Sequence, residues 1–193
     1  MTNKKGAVGI GTLIIFIAMV LVAAIAAAVL INVSGILQQK AMKTGKEAIS
    51  QVSGNLLVSS IIGTTNSGMT NIENFTIFVT AAAGASRTDL STLVVRVGNN
   101  FNQSTLTYNR TSAAAGNFFN ITEIRDPTNL FNPQTPVIDG SSLVQINIIP
   151  ATTVYFPTRS QFRFELIPEF GSTTVIEGTT PSSYSTTLQN IYP

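Results

Sequence analysis

Apolar residues run almost without interruption from Val8 to Val33, and no charged side chain breaks the run. About 20 such residues span the ~30 Å core of a bilayer, so the stretch is long enough to cross one. An ordinary secretory signal has only ~7–15 apolar residues ahead of its cleavage site. Beyond Val33 the pattern changes rather than stops. Ile36, Leu37, Ala41, Met42, Ala48, Ile49, Val52, Leu56 and Leu57 keep mostly to the spacing of one helical face. The spacing predicts one nearly continuous helix over residues 7–62, stopped at Gly63, with Gly35 as the place for a kink. At 1.5 Å per residue it would be about 80 Å long, far more than a bilayer needs.

The first half of that helix is apolar on every side, so apolar matter must surround it wherever it resides. Sixteen large apolar side chains lie between Val8 and Val33. At ~1.5–3 kcal/mol each, leaving them in water would cost tens of kcal/mol as an upper bound. The rest of the chain is too small to hide them, so the helix belongs in lipid or in a bundle of its own copies. Gly9, Gly11, Ala18, Ala23, Ala24, Ala26, Ala27 and Ala28 favour the bundle, because small residues at i,i+4 spacing let helices approach closely.

After Gly63 the period shortens. Runs at 75–81, 93–97, 105–108, 118–124, 143–149, 162–167 and 173–177 are β-branched or aromatic, and Phe162-Arg163-Phe164-Glu165-Leu166 alternates cleanly. Asn66-Ser67-Gly68, Gly98-Asn99-Asn100, Asp126-Pro127, Asn132-Pro133 and Asp139-Gly140 punctuate them as turns. Short strands at this spacing predict an all-β sandwich or barrel. The fold class is therefore α+β, with residues 7–62 as helix and 63–193 as an outer β-domain.

Charge and composition narrow the function. All five lysines precede residue 47, two of them Lys4 and Lys5, and from Gly63 on six Arg face eight carboxylates. The bulk of the chain is mildly acidic, which argues against nucleic acid, since that partner needs a clustered basic face. The chain has no Cys and no His. That removes disulfides, thiolate nucleophiles, the usual neutral-pH base and the commonest transition-metal ligand. No nucleophile elbow, phosphate loop or helical metal pair is present. Asp89, Asp126 and Asp139 stand beside turns and are the residues to watch for a divalent ion, but they are scattered, and no metal or cofactor is expected. Sequons occur at Asn32, Asn74, Asn102, Asn109 and Asn120. Asn32 falls inside the helix, which leaves Asn74, Asn102, Asn109 and Asn120 as glycosylation candidates.

Two segments resemble a known family. Lys4-Lys5-Gly6-Ala7 followed by VGIGTLIIFIAMVLVAAIAAAVLI resembles the start of archaeal flagellins, the archaellins. Pro168-Glu169-Phe170-Gly171, Val175-Ile176-Glu177 and Thr180-Pro181-Ser182-Ser183-Tyr184 are similar to that family's C-terminal signature. The resemblance implies a basic leader, residues 1–6, cut between Gly6 and Ala7 by a membrane prepilin-type peptidase, with the apolar helix retained. Bacterial type IV pilins usually carry Glu at the fifth mature position, where this chain has Gly11. It further implies an immunoglobulin-like β-domain, N-glycosylation outside the cell, and a non-catalytic subunit of a rotating surface filament. The partners implied are further copies of the chain in a helical homopolymer, the leader peptidase and the membrane assembly and motor complex, with the membrane involved only before assembly. Two other readings fit the pattern: an adhesive pilus subunit made by the same route, and a membrane-anchored monomer displaying a binding domain.

Overall fold

The computed structural model describes residues 3–85, 87–110, 116–151 and 153–192, with side chains from residue 8 onward. The chain divides into two units, Met1–Glu47 and Ala48–Pro193. Helix α1 spans Asn3–Ser53 without a break, passing straight through Gly35. It stops nine residues short of the expected end. Gly54 N–H donates to the Ser50 carbonyl at 2.9 Å and the Asn55 side-chain amide donates to the Val52 carbonyl, closing the last turn. Leu56, Leu57, Ile61 and Ile62 fit a helical face by spacing but are taken into strand β1 (Leu56–Thr65), because pairing along nearly its whole length with β2 outweighs local preference. Gly63 is therefore no helix stop. It sits inside β1, where an added Cβ would lie 2.5 Å from Ile191 Cδ1.

The remaining strands are β2 (Asn71–Ala81), β3 (Thr88–Asp89), β4 (Val94–Gly98), β5 (Gln103–Tyr108), β6 (Phe118–Arg125), β7 (Phe131–Asn132), β8 (Thr135–Ile138), β9 (Leu143–Ile148), β10 (Phe156–Pro157), β11 (Gln161–Ile167), β12 (Thr174–Thr179) and β13 (Leu188–Tyr192). One sheet runs in the order β12-β11-β4-β5-β6-β9-β2-β1-β13, with β10 added on β2, and β3-β8-β7 form a small second sheet. All pairs are antiparallel except β5 with β6. The end strands β12 and β13 come back into contact, and Thr174 Oγ1 donates to the Leu56 carbonyl at 2.8 Å beside that seam. The sheet thus folds over into a sandwich that almost closes as a barrel, the β architecture expected from the strand spacing.

Alternation decides which side faces in. Phe75, Ile77, Val79 and Ala81 of β2, Val144, Ile146 and Ile148 of β9, and Phe162, Phe164 and Leu166 of β11 are all buried. The two layers meet at Phe75, whose ring stacks edge-on against Phe156 at 4.9 Å and Phe164 at 5.0 Å. Phe75→Ala should therefore cost ~3–5 kcal/mol. Phe101→Ala, at a turn tip where the ring is 90 % exposed, should stay within about 0.5 kcal/mol. Thermal unfolding of the detergent-solubilised chain, followed by circular dichroism, compares the two.

Candidate functional site: the exposed helix and the turn at its end

The sixteen large apolar side chains from Val8 to Val33 are all solvent-exposed in the isolated chain, each between 47 and 73 %. Among the described residues of that unit nothing covers them, and by length and composition the helix could cross a membrane. One face carries a shallow apolar groove lined by Ile15, Ala18, Met19, Val22, Ala23 and Ala26, where alanines leave room for a neighbouring backbone. The charged segment follows. Lys43 lies 3.8 Å from Glu47 on an exposed i,i+4 pair, worth only ~0.3–0.5 kcal/mol. Lys4, Lys5, Gly6 and Ala7 lie within α1 by backbone, and their side chains are outside the described residues.

The last turn of α1 is fastened to the Pro168–Gly171 turn. Gln51 Nε2 donates to the Gly171 carbonyl at 3.2 Å. Asn55 Oδ1 accepts from both the amide and the hydroxyl of Ser172, at 2.8 and 2.9 Å. Between these bonds two backbones touch: a Cβ on Gly171 would sit 2.4 Å from the Gly54 oxygen, and one on Gly54 would sit 2.4 Å from the Phe170 oxygen. Gly171 also has φ +110°, a region that favours glycine. The C-terminal signature thus has a physical reading. Its partners Gln51, Gly54 and Asn55 could not be singled out in the sequence, where they fell inside the expected helix; only the adjacent Gly54 and Asn55 hinted at a stop. The second part of the signature straps the barrel instead. Tyr184 is buried with its hydroxyl 3.1 Å from the carbonyls of Phe156 and Pro157, and Thr180 Oγ1 donates to Pro157 at 2.7 Å.

Asp126 and Asp139 come together, and Asp89 stands apart with its carboxylate capping the Ser91 amide. Thr128 Oγ1 lies 2.8 Å from Asp126 and 2.9 Å from Asp139, and the Ser142 hydroxyl also reaches both. The Phe131 amide, together with the Thr128 and Ser142 hydroxyls, holds the Asp126 carboxyl below its usual range. The Ser141 and Ser142 hydroxyls, with the Ser141 amide, lower Asp139 further. No group of three or more His, Asp or Glu side chains converges as a metal site among the described residues.

The sequons divide by position. Asn102 stands in a turn, with its side-chain amide donating to the Thr153 carbonyl at 2.9 Å. Asn109 follows the end of β5, and its Thr111 lies outside the described residues. Asn74 and Asn120 are half-buried inside β2 and β6, and Asn74 Oδ1 is buried without a hydrogen-bond partner.

Comparison with known proteins decides what this architecture is. Residues 6–178 match the model of the family described as archaeal-type flagellin. Flagellin B2 of Methanocaldococcus jannaschii is 41 % identical over 98 % of this chain and 95 % of its own. Flagellin B1 of Methanococcus voltae is 38 % identical over 96 and 94 %. The chain belongs to the archaeal-type flagellin family. Two solved structures share the fold at 21 % identity. The archaeal flagellum of Methanospirillum hungatei strain JF1 matches with a TM-score of 0.72, covering 96 % of this chain and 99 % of that one. The crystal structure of flagellin FlaB1 from Methanocaldococcus jannaschii gives 0.64 over 71 and 96 %. Members of the family are structural subunits of an extracellular archaeal filament, not enzymes, and the role of this flagellin is structural.

Gly171→Ala should destabilise the chain by ~1–3 kcal/mol or more, since neither the φ nor the facing backbone can yield cheaply; Gly84→Ala, also at positive φ but in open space, should cost less in the same thermal melt. Acid should act through Asp126 and Asp139. Their folded carboxyls titrate below the unfolded value of ~3.9, so their stabilisation is present above about pH 4 and is lost as pH falls below it. Melting Asp139→Asn beside the wild type from pH 6 to pH 3 should show a flatter acid dependence in the variant.

Proposed function

We propose that this flagellin polymerises through α1 into the core of a rotating archaeal flagellum for swimming, with the β-domain on the outside. The observation that carries the reading is the ring of exposed apolar side chains from Val8 to Val33. Packing copies of the helix side by side removes them from water, and at ~1.5–3 kcal/mol per side chain this dominates the energetics of assembly. The long, unbroken helix supports a bundle over a simple bilayer anchor.

The precursor sits in the membrane by the same helix before assembly. A prepilin-type peptidase reads Lys4-Lys5-Gly6 and cuts ahead of Ala7, which removes residues 1–6 and their charge from a helix that must enter an apolar bundle. A membrane assembly and motor complex then extends and turns the filament. Asn102 and Asn109, at strand ends, are the sequons best placed to carry glycans; Asn74 and Asn120 have the motif but lie within strands.

N-terminal sequencing and intact mass of the protein in filaments sheared from cells test the core of this. The expected chain begins at Ala7, in particulate material. A chain that keeps Lys4 and Lys5 and is found only in detergent-extracted membranes would falsify the polymer. Gly6→Val should leave an uncut precursor in the membrane and abolish filaments.

A further inference from the structure

Among the described residues, Phe101 is the most exposed phenylalanine of the β-domain, at 90 % against 44 % for Phe170. Its backbone is nonetheless held in place. Asn99 N–H donates to the Asn102 carbonyl at 2.9 Å, and Asn99 Oδ1 accepts from the Phe101 and Asn102 amides at 2.9 and 2.7 Å. The same two asparagines moor the turn to residues 153–155. Asn99 Nδ2 donates to the Tyr155 carbonyl at 2.8 Å, and Asn102 Nδ2 to the Thr153 carbonyl at 2.9 Å. A lone exposed apolar side chain is ordinary. An aromatic ring presented on a turn that these bonds have already ordered is different, because little further freedom is lost when something binds it.

A shallow pocket of about 430 Å³ opens beside this turn. The volume lies within the ~300–1,000 Å³ of small-ligand sites, but those are lined mostly by apolar side chains. Among the described residues none lines this one. Asn100 forms one wall, next in sequence to Phe101, while Gln161 and Thr179 come from β11 and β12, where they pair in register. The side chains of these three have no hydrogen-bond partner among the described residues. Arg163 and Glu177 also line the pocket and form an ion pair with each other, and Arg163 holds Glu165 as well.

We infer that this pocket and the Phe101 ring together take an uncharged saccharide. Two side-chain amides and a hydroxyl place donors and acceptors side by side, which suits sugar hydroxyls that each donate and accept. Arg163 already spends its charge on carboxylates, so the pocket has no preference for a phosphate. The absence of apolar lining leaves nothing for a lipid or an apolar peptide to fill. The exposed ring supplies the contact that the polar pocket lacks: the C–H groups on one face of a pyranose carry slight positive charge and pack on the negative face of an aromatic ring. This chemistry has two possible sources. One is a saccharide outside the chain; the other is an N-glycan on the chain's own Asn102 sequon, which begins in the same turn.

The inference does not depend on the polymer, and the full chain in a detergent without sugar headgroups tests it. Protein made without N-glycosylation is titrated with chitobiose, cellobiose and mannobiose, followed by saturation-transfer NMR. At least one should bind with a Kd on the order of millimolar. Phe101→Ala and Gln161→Ala should each weaken that binding ~3–10-fold, the worth of one ring or hydrogen-bond contact. Phe101→Trp should keep it, Phe118→Ala on β6 should leave it unchanged, and the melting temperature of Phe101→Ala should match the wild type. Failure of all three sugars to bind, or binding that survives both alanine variants, would overturn the site and leave Phe101 to a protein contact. Tighter binding of glucose 6-phosphate than of the neutral sugars would overturn the ligand class. In protein from the native cells, Ser104→Ala removes the Asn102 sequon without altering Asn102. A gain in binding over the wild type assigns the pocket to the chain's own glycan, and equal binding assigns it to an external saccharide.

Discussion

Everything in this chain answers to one constraint: a helix that is apolar all the way round cannot be covered by the chain that carries it. A soluble helix hides one stripe against its own core and offers the other side to water. Here the run from Val8 to Val33 offers no polar side at all, so the folded chain is an incomplete object. Its free-energy minimum lies in a bilayer or among its own copies. The same residues would serve both, so the membrane precursor proposed above would need no refolding of the helix to enter a filament.

The β-domain is built on the opposite principle. Its core closes on itself around Phe75, Phe156 and Phe164, and the seam between β12 and β13 leaves little edge for uncontrolled strand addition. A subunit that joins others through its helix gains from a β-domain whose strand edges are closed off. The fastening of the helix end by Gln51, Asn55 and the paired backbones of Gly54 and Gly171 belongs to this sealed part.

Legibility followed the strength of the local signal. The helix was plain because sixteen large apolar residues leave no other reading, and β2, β4, β5, β6, β9, β11 and β12 were plain as β-branched or aromatic runs between turns, whereas β8 and β13 were not marked out. The end of the helix was not, since Leu56, Leu57, Ile61 and Ile62 suit either a helical face or a strand, and only the pairing with β2 decides between them. The two-residue strands β3, β7 and β10 carry no period to read. For the Pro168–Gly171 turn, the motif was visible and its purpose was not, because its partners lie about 117 residues earlier in the sequence. The Asp126–Asp139 pair shows the same limit: the turns were clear, the shared hydroxyls of Thr128 and Ser142 were not.

The placement of charge has an effect on filament growth. The full chain carries a formal +2, and Lys4 and Lys5 account for all of it. If residues 1–6 are removed as proposed, the positive excess at Lys40, Lys43, Lys46 and Glu47 balances the two surplus carboxylates of the β-domain. The subunit is then electrically neutral but polarised. A filament of such subunits accumulates no net charge as it lengthens, so adding the next copy meets the same electrostatic work at any length.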